Sequence, residues 1–162
     1  MDCVAMTTRL RTDDELELLR AMRKRVTNPG ARWSDKPTGA PVHRQRSFKV
    51  RGEDDWESRF EVYQRQNIRD VADFSCGIAH VSLDGSRLTL ARYNGPGHEH
   101  GDILYRPHIH RATARAIASG KKPEHEAEET DRFETLEGAL ACLVDDFNVV
   151  GLLPLRDRPR LF

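Results

Sequence analysis

Four of the seven histidines fall within thirteen residues, as His98-Glu99-His100 and His108-Ile109-His110. Residues two apart in an extended strand share a face, with backbones roughly 6.5 to 7 Å apart. Pro107-His108-Ile109-His110-Arg111 therefore presents both imidazoles to one side. An imidazole gains and loses a proton near neutral pH and also binds transition metals. Two of them can flank a phosphate undergoing cleavage or share a metal. Arg92 and Tyr93 end the segment that leads into the first pair, and Arg106 and Arg111 bracket the second. Guanidinium groups recognise phosphate through paired N–H donors. This makes Arg106, Arg111 and Tyr93 candidate substrate contacts beside the candidate catalytic residues His98, His108, His110 and Arg92.

Two familiar metal motifs fail on spacing. His98-Glu99-His100-Gly101-Asp102 follows most of the His-x-His-x-Asp-His pattern of metallo-β-lactamase-type hydrolases, but Ile103 stands where its last histidine belongs. His108-x-His110 with Gly101 upstream is like a cupin metal box, but residues 112–117 hold no glutamate to follow it. A different metal site stays open, in which His98, His100, His108 and His110 hold zinc or another divalent transition metal, with Glu99 or Asp102 adding an oxygen. The bland alternative is a solvated turn and edge strand. His80 reads as a packed residue, and His43 and His125 receive no role.

The elements that must position these residues are legible from periodicity. Thr12-Asp13-Asp14-Glu15 is a capping box, and Leu16, Leu19, Met22 and Val26 follow at helical spacing, predicting a helix over 13–26. Asn28-Pro29-Gly30 ends it, and the Pro- and Gly-containing stretch to Pro41 reads as a linker arm. Period-two patterning predicts strands over 47–51, 59–66, 73–83 and 86–93, with extended character again over 103–111. Asp84-Gly85 favours a two-residue hairpin turn. That turn sets Leu83 opposite Ser86, Val81 opposite Leu88 and Ala79 opposite Leu90, with His80 beside Thr89 and Cys76 beside Tyr93 on the other face. Residues 94–102 are a Gly/Pro-rich loop. Residues 112–119 suit a short helix and 120–130 an acidic loop. Thr135 caps a last helix that buries Leu136, Leu140, Leu143, Val144 and Phe147. The expected fold is a single α+β domain, a mainly antiparallel sheet of about five strands with an N-terminal and a C-terminal helix. Its parts are a helix and arm over 1–43, the core over 44–150 and a tail over 151–162.

The chain has 162 residues, 38% hydrophobic and 32% charged, with a mean hydropathy of −0.68. That suits one domain with a real core. The longest apolar run, Val149 to Leu153, is far below the roughly 20 residues a bilayer requires. No secretory signal is evident, and Cys3, Cys76 and Cys142 form no paired motif, so the expectation is a cytoplasmic protein with reduced thiols and no membrane partner. Net charge is zero, yet the first third is basic, from Arg20 through Arg51, and 124–137 is acidic. A local basic face can still meet RNA or phosphate.

The run Leu90-Ala91-Arg92-Tyr93-Asn94-Gly95-Pro96-Gly97-His98, followed by Pro107-His108-Ile109-His110, resembles a family of small bacterial proteins. Its members share a strand ending Leu-x-Arg, a Gly-Pro-x-His turn and a Pro-His-x-His strand. It is also distantly similar to TumE-type toxins of toxin–antitoxin systems. The resemblance spans about 60–150. This chain has Glu99-His100-Gly101-Asp102 where the first pattern has an Asn-Pro-Asp-Gly turn, and Asn94 where the second has Asp. The resemblance implies a metal-independent endoribonuclease using histidine acid–base chemistry, with His98 and His108 as the acid–base pair and His110 orienting or sharing that role. Arg92 or Arg106 would hold the phosphate, RNA would be the substrate, and a cognate antitoxin would be the partner. The alternatives are a histidine-rich metal-binding protein or hydrolase, and a non-catalytic interaction module or inhibitor.

Overall fold

The computed structural model describes residues 11–36, 42–97 and 105–152. Nine strands form one mixed sheet: β1 (Lys24–Val26), β2 (Ser34–Asp35), β3 (His43–Gly52), β4 (Arg59–Asn67), β5 (Phe74–Val81), β6 (Arg87–Asn94), β7 (His108–Arg111), β8 (Glu126–Glu129) and β9 (Val149–Val150). Their order is β8-β7-β6-β5-β4-β3-β1-β9, with β2 paired to β3 beside β1. Among the described residues three short helices accompany them, α1 (Asp13–Ala21), α2 (Ala114–Ala118) and α3 (Leu136–Asp146). This corrects the expectation of about five strands flanked by two helices. The strands foreseen are β3 to β7, the middle of the sheet. The additional β1, β2, β8 and β9 are two to four residues long, too short for alternation to register. The β1–β9 pairing is parallel, which makes the sheet mixed. The end of the expected first helix is instead β1, the expected linker arm contributes β2, and the expected acidic loop contributes β8.

α1 also ends five residues early, at Ala21, and Lys24 accounts for the stop. Its ammonium donates to the carbonyls of Arg20 at 3.0 Å, Met22 at 2.7 Å and Phe147 at 2.8 Å. One buried side chain thus satisfies carbonyls at the ends of both α1 and α3, groups a helix leaves without internal partners. The ammonium lies 4.9 Å from the Phe60 ring centroid. Burial draws it down to about 7, against the pull of three carbonyls that bond best to the protonated form.

The β5–β6 hairpin closes with Gly85 N–H donating to Ser82 C=O, and Gly85 takes φ +86°. The loop is longer than the two residues expected from Asp84-Gly85. Val81 therefore pairs with Arg87 and His80 with Leu88, one residue out from the expected register. A bulge between Ile78 and Ala79 absorbs the offset, so that Cys76 does pair with Tyr93 as expected. A bulge inserts one residue and resets alternation.

One face of the sheet carries Phe48, Val50, Phe60, Val62, Phe74, Cys76, Ile78 and Tyr93, buried with Leu136, Ala139, Leu140 and Leu143 of α3. Thr135 caps α3 as expected, accepting from Gly138 N–H. The Tyr93 hydroxyl donates to Asp146 Oδ2 at 2.5 Å, and Arg132 grips both oxygens of that carboxylate at 2.9 Å. The opposite face of the middle strands is polar, and it holds the candidate site.

Candidate functional site

Strand register brings the polar residues together. Across β4 to β7, Tyr63 pairs with Gly77, Gly77 with Arg92, and Arg92 with His110. In the neighbouring row Ser75 pairs with Asn94 and Asn94 with His108. Alternation places all of these on the side of the sheet away from α3. The His108 and His110 rings meet edge to face with centroids 5.1 Å apart, and both residues are buried, at 0% and 1% exposure.

A directional chain of hydrogen bonds fixes His108. Ser75 Oγ donates to Asn94 Oδ1 at 2.9 Å, Asn94 Nδ2 meets His108 Nε2 at 3.3 Å, and His108 Nδ1 meets the Arg106 carbonyl at 2.9 Å. An amide nitrogen can only donate and a carbonyl can only accept. His108 is therefore the Nδ1–H tautomer, its Nε2 lone pair taken by Asn94. His110 is anchored differently: Nδ1 donates to the Glu124 carbonyl at 3.0 Å, which makes Nε2 its basic nitrogen. Directly across the ladder, Arg92 Nε is buried without a hydrogen-bond partner among the described residues.

Tyr63 closes one side of this group by lying on Gly77. A Cβ at that glycine would stand 2.5 Å from the tyrosine ring, so only a residue without one leaves room. Burial raises the Tyr63 phenol above its usual value, partly offset by the charge of Arg92 and a hydrogen bond with Ser75. At the end of the same face His43 Nε2 lies 3.5 Å from Asp73 Oδ2, which also accepts from Asn67 Nδ2 at 3.1 Å. The sequence reading gave His43, Asp73 and Tyr63 no role. Tyr63 was legible only as one position in an alternating run, and the His43–Asp73 contact joins residues thirty apart.

Of the residues expected at the site, the structure brings Arg92, His108 and His110 together. Arg106 contributes its backbone carbonyl to His108, while its side chain lines an open cleft of about 940 Å³ with Tyr105, Pro107, Glu129 and Asp131. Tyr93 and Arg111 alternate onto the other face: Tyr93 is buried against Asp146, and Arg111 borders a cleft with Asp13, Leu16 and Arg20. His98 and His100 lie outside the described residues. Among the described residues no three or more His, Cys, Asp or Glu side chains are grouped to hold a metal ion. None of the described helices is long and apolar enough to cross a membrane.

The described residues form a mainly β protein, one mixed sheet that is apolar beneath α3 and carries a histidine–arginine group on its other face. The chain matches no protein-family model, no curated protein and no solved structure. Chemically, the group offers an imidazole nitrogen at His110 Nε2, a guanidinium at Arg92 and a hydrogen-bonded neighbour at His108. That set suits proton transfer at an anionic centre.

Proposed function

We propose that this protein is a toxin-type endoribonuclease of a toxin–antitoxin or mobile-element defence system, cleaving RNA by histidine acid–base chemistry. The observation that carries the proposal is that His110, held through Nδ1 by the Glu124 carbonyl, is the strand partner of Arg92 on the β6–β7 ladder. In the reaction, which requires the buried His110 ring to be uncovered first, His110 Nε2 takes the proton of a ribose 2′-hydroxyl as that oxygen attacks the adjacent phosphorus. The bond to the 5′-oxygen breaks, and that oxygen leaves with a proton from His98, the acid the sequence suggests. The products are a 2′,3′-cyclic phosphate and a 5′-hydroxyl. Arg92 offsets the charge that builds on the phosphorane oxygens. His108 is a positioning residue, because a proton or metal at its Nε2 must first displace the Asn94 amide. The same commitment favours metal-independent chemistry over a zinc site at the two histidines of β7.

Such an enzyme acts on cytoplasmic RNA and needs a neutralising antitoxin, for which the basic first third is the proposed contact. Expression of the intact chain is expected to arrest growth, with arrest lost in His110→Ala and restored by the antitoxin. Arrest that survives His110→Ala while the protein stays folded contradicts the proposal. Metal that co-purifies stoichiometrically and is lost with His110→Ala supports the metal-binding reading instead.

A further inference from the structure

We propose that Trp33, Arg44 and Arg46 form a docking pad for the backbone of a single-stranded nucleic acid, on the α3 face of the sheet and separate from His110. β2 pairs Ser34 with Gln45 and Asp35 with Arg44, so Trp33 falls opposite Arg46. The guanidinium carbons of Arg44 and Arg46 lie 4.2 and 4.6 Å from the Trp33 ring centroid, and Arg46 also lies 5.1 Å from that of Phe48. Residues 44, 46 and 48 share one side of β3 by alternation.

The acceptors of these guanidinium groups set them apart. Arg44 donates through Nε at 3.3 Å and Nη2 at 2.7 Å to Gln66 Oε1, and Arg46 through Nε at 2.6 Å to Gln64 Oε1. Both partners are neutral amides. Elsewhere Arg20 pairs with Glu17, Arg23 and Arg25 with Glu53, Arg87 with Glu61, and Arg132 with Asp146. Arg44 and Arg46 have no ion-paired carboxylate among the described residues, although they stand side by side. Burial, and then the charge of Arg44, lowers the Arg46 guanidinium, while Glu137 acts on it only as a weaker opposing charge.

Two adjacent, partly buried cations without a counterion disfavour folding, and an incoming anion removes that penalty. Each glutamine occupies one or two of the five N–H donors of its arginine. Planar guanidinium groups suit phosphate, and basic side chains interleaved with an aromatic ring are how proteins hold single strands. Exposed Arg32, beside Trp33, extends the positive surface.

The test uses the full chain and a 2′-O-methyl uridine dodecamer, which binds as RNA does but has no 2′-hydroxyl to attack. Trp56→Phe leaves Trp33 as the single tryptophan of the chain, and oligonucleotide binding is expected to change its fluorescence. Arg44→Gln with Arg46→Gln is expected to weaken binding more than about tenfold and to reduce the log–log salt slope by about 1.4, for two phosphates on a single strand. Arg44→Lys with Arg46→Lys keeps the charges and is expected to keep the slope, which decides the matter if the glutamine variant fails to fold. Unchanged affinity and slope in the folded glutamine variant overturn the pad. So does a hexaglutamate peptide that occupies Trp33 with the same arginine dependence, since the partner is then an acidic protein segment. Oligonucleotide binding through the pad by a chain that leaves RNA uncut upholds the pad and contradicts the cleavage proposal alone. A chain that cuts RNA yet ignores both arginine changes contradicts the pad alone.

Discussion

Asn94 and His108 are joined across β6 and β7 by a 3.3 Å contact between amide Nδ2 and ring Nε2, and that contact separates the roles of the two β7 histidines. Both imidazoles use Nδ1–H on a backbone carbonyl, of Arg106 for His108 and of Glu124 for His110. At His108 the second nitrogen is already an acceptor for Asn94. His110, and not His108, is the strand partner of Arg92.

The tautomer of His108 is directly testable. Imidazole ¹⁵N spectra are expected to show Nδ1 protonated and Nε2 as a hydrogen-bonded acceptor. Asn94→Ala removes that donor and leaves a buried lone pair, with an expected loss of about 1–3 kcal/mol in urea unfolding. An unchanged unfolding midpoint, or an Nε2–H tautomer, contradicts the chain from Ser75 to Arg106.

Tyr63 depends on Gly77. Gly77→Ala places a methyl group 2.5 Å from the tyrosine ring, and the ring must move away from Arg92. The expected cost is about 1–3 kcal/mol, the usual range for overpacking. Tyr63→Ala in the same chain is expected to recover part of it, because the clash disappears. Additive losses in the double variant contradict the contact.

His80 makes stability depend on pH. Burial first, and then the charges of Arg11 and Lys24, lower its folded value below the ordinary 6.5. Its Nδ1 has no hydrogen-bond partner among the described residues. A lowered value means that the unfolded chain binds more protons near and just below pH 6.5. The stabilising contribution is therefore complete above that pH and is lost as pH falls toward the folded value. His80→Phe packs on Phe60, 5.2 Å away ring to ring, and is expected to flatten this acid limb in denaturant titrations. An identical limb in both proteins assigns the effect to other groups.

Tyr93 is expected to matter for stability and not for catalysis. Tyr93→Phe removes the hydroxyl bond to Asp146, whose carboxylate keeps Arg132, and about 1 kcal/mol should be lost in thermal or urea unfolding. A large fall in RNA cleavage with unchanged stability would return Tyr93 to the site.

Legibility in the sequence followed the length of the periodic signal. β3 to β6 and α3 each run eight residues or more, and they stand within a few residues of where period and capping put them. β1, β2, β8 and β9 were invisible because two to four residues carry no period. α1 stopped short because Lys24, polar in any pattern, reaches the Arg20 and Met22 carbonyls and one more, that of Phe147, at the end of a helix more than a hundred residues later. At the site, alternation was enough to pair His108 with His110 and to set Arg92 nearby. The same alternation turns Tyr93 and Arg111 away from Arg92 and His110, so neither belonged with them as a substrate contact; what alternation could not show is that α3 covers that opposite face. Nor could it distinguish the two histidines, because the distinction rests on Asn94 and on the Glu124 carbonyl.

The most direct measurement is cleavage of a defined single-stranded RNA by the purified full chain in the presence of EDTA, with the ends of the products identified. The account expects 2′,3′-cyclic phosphate and 5′-hydroxyl ends, a rate at least about 100-fold lower in His110→Ala, as loss of a general acid–base group implies, and a similar fall in Arg92→Gln. Uncut RNA under these conditions, or cleavage that persists at full rate in a folded His110→Ala protein, would contradict it.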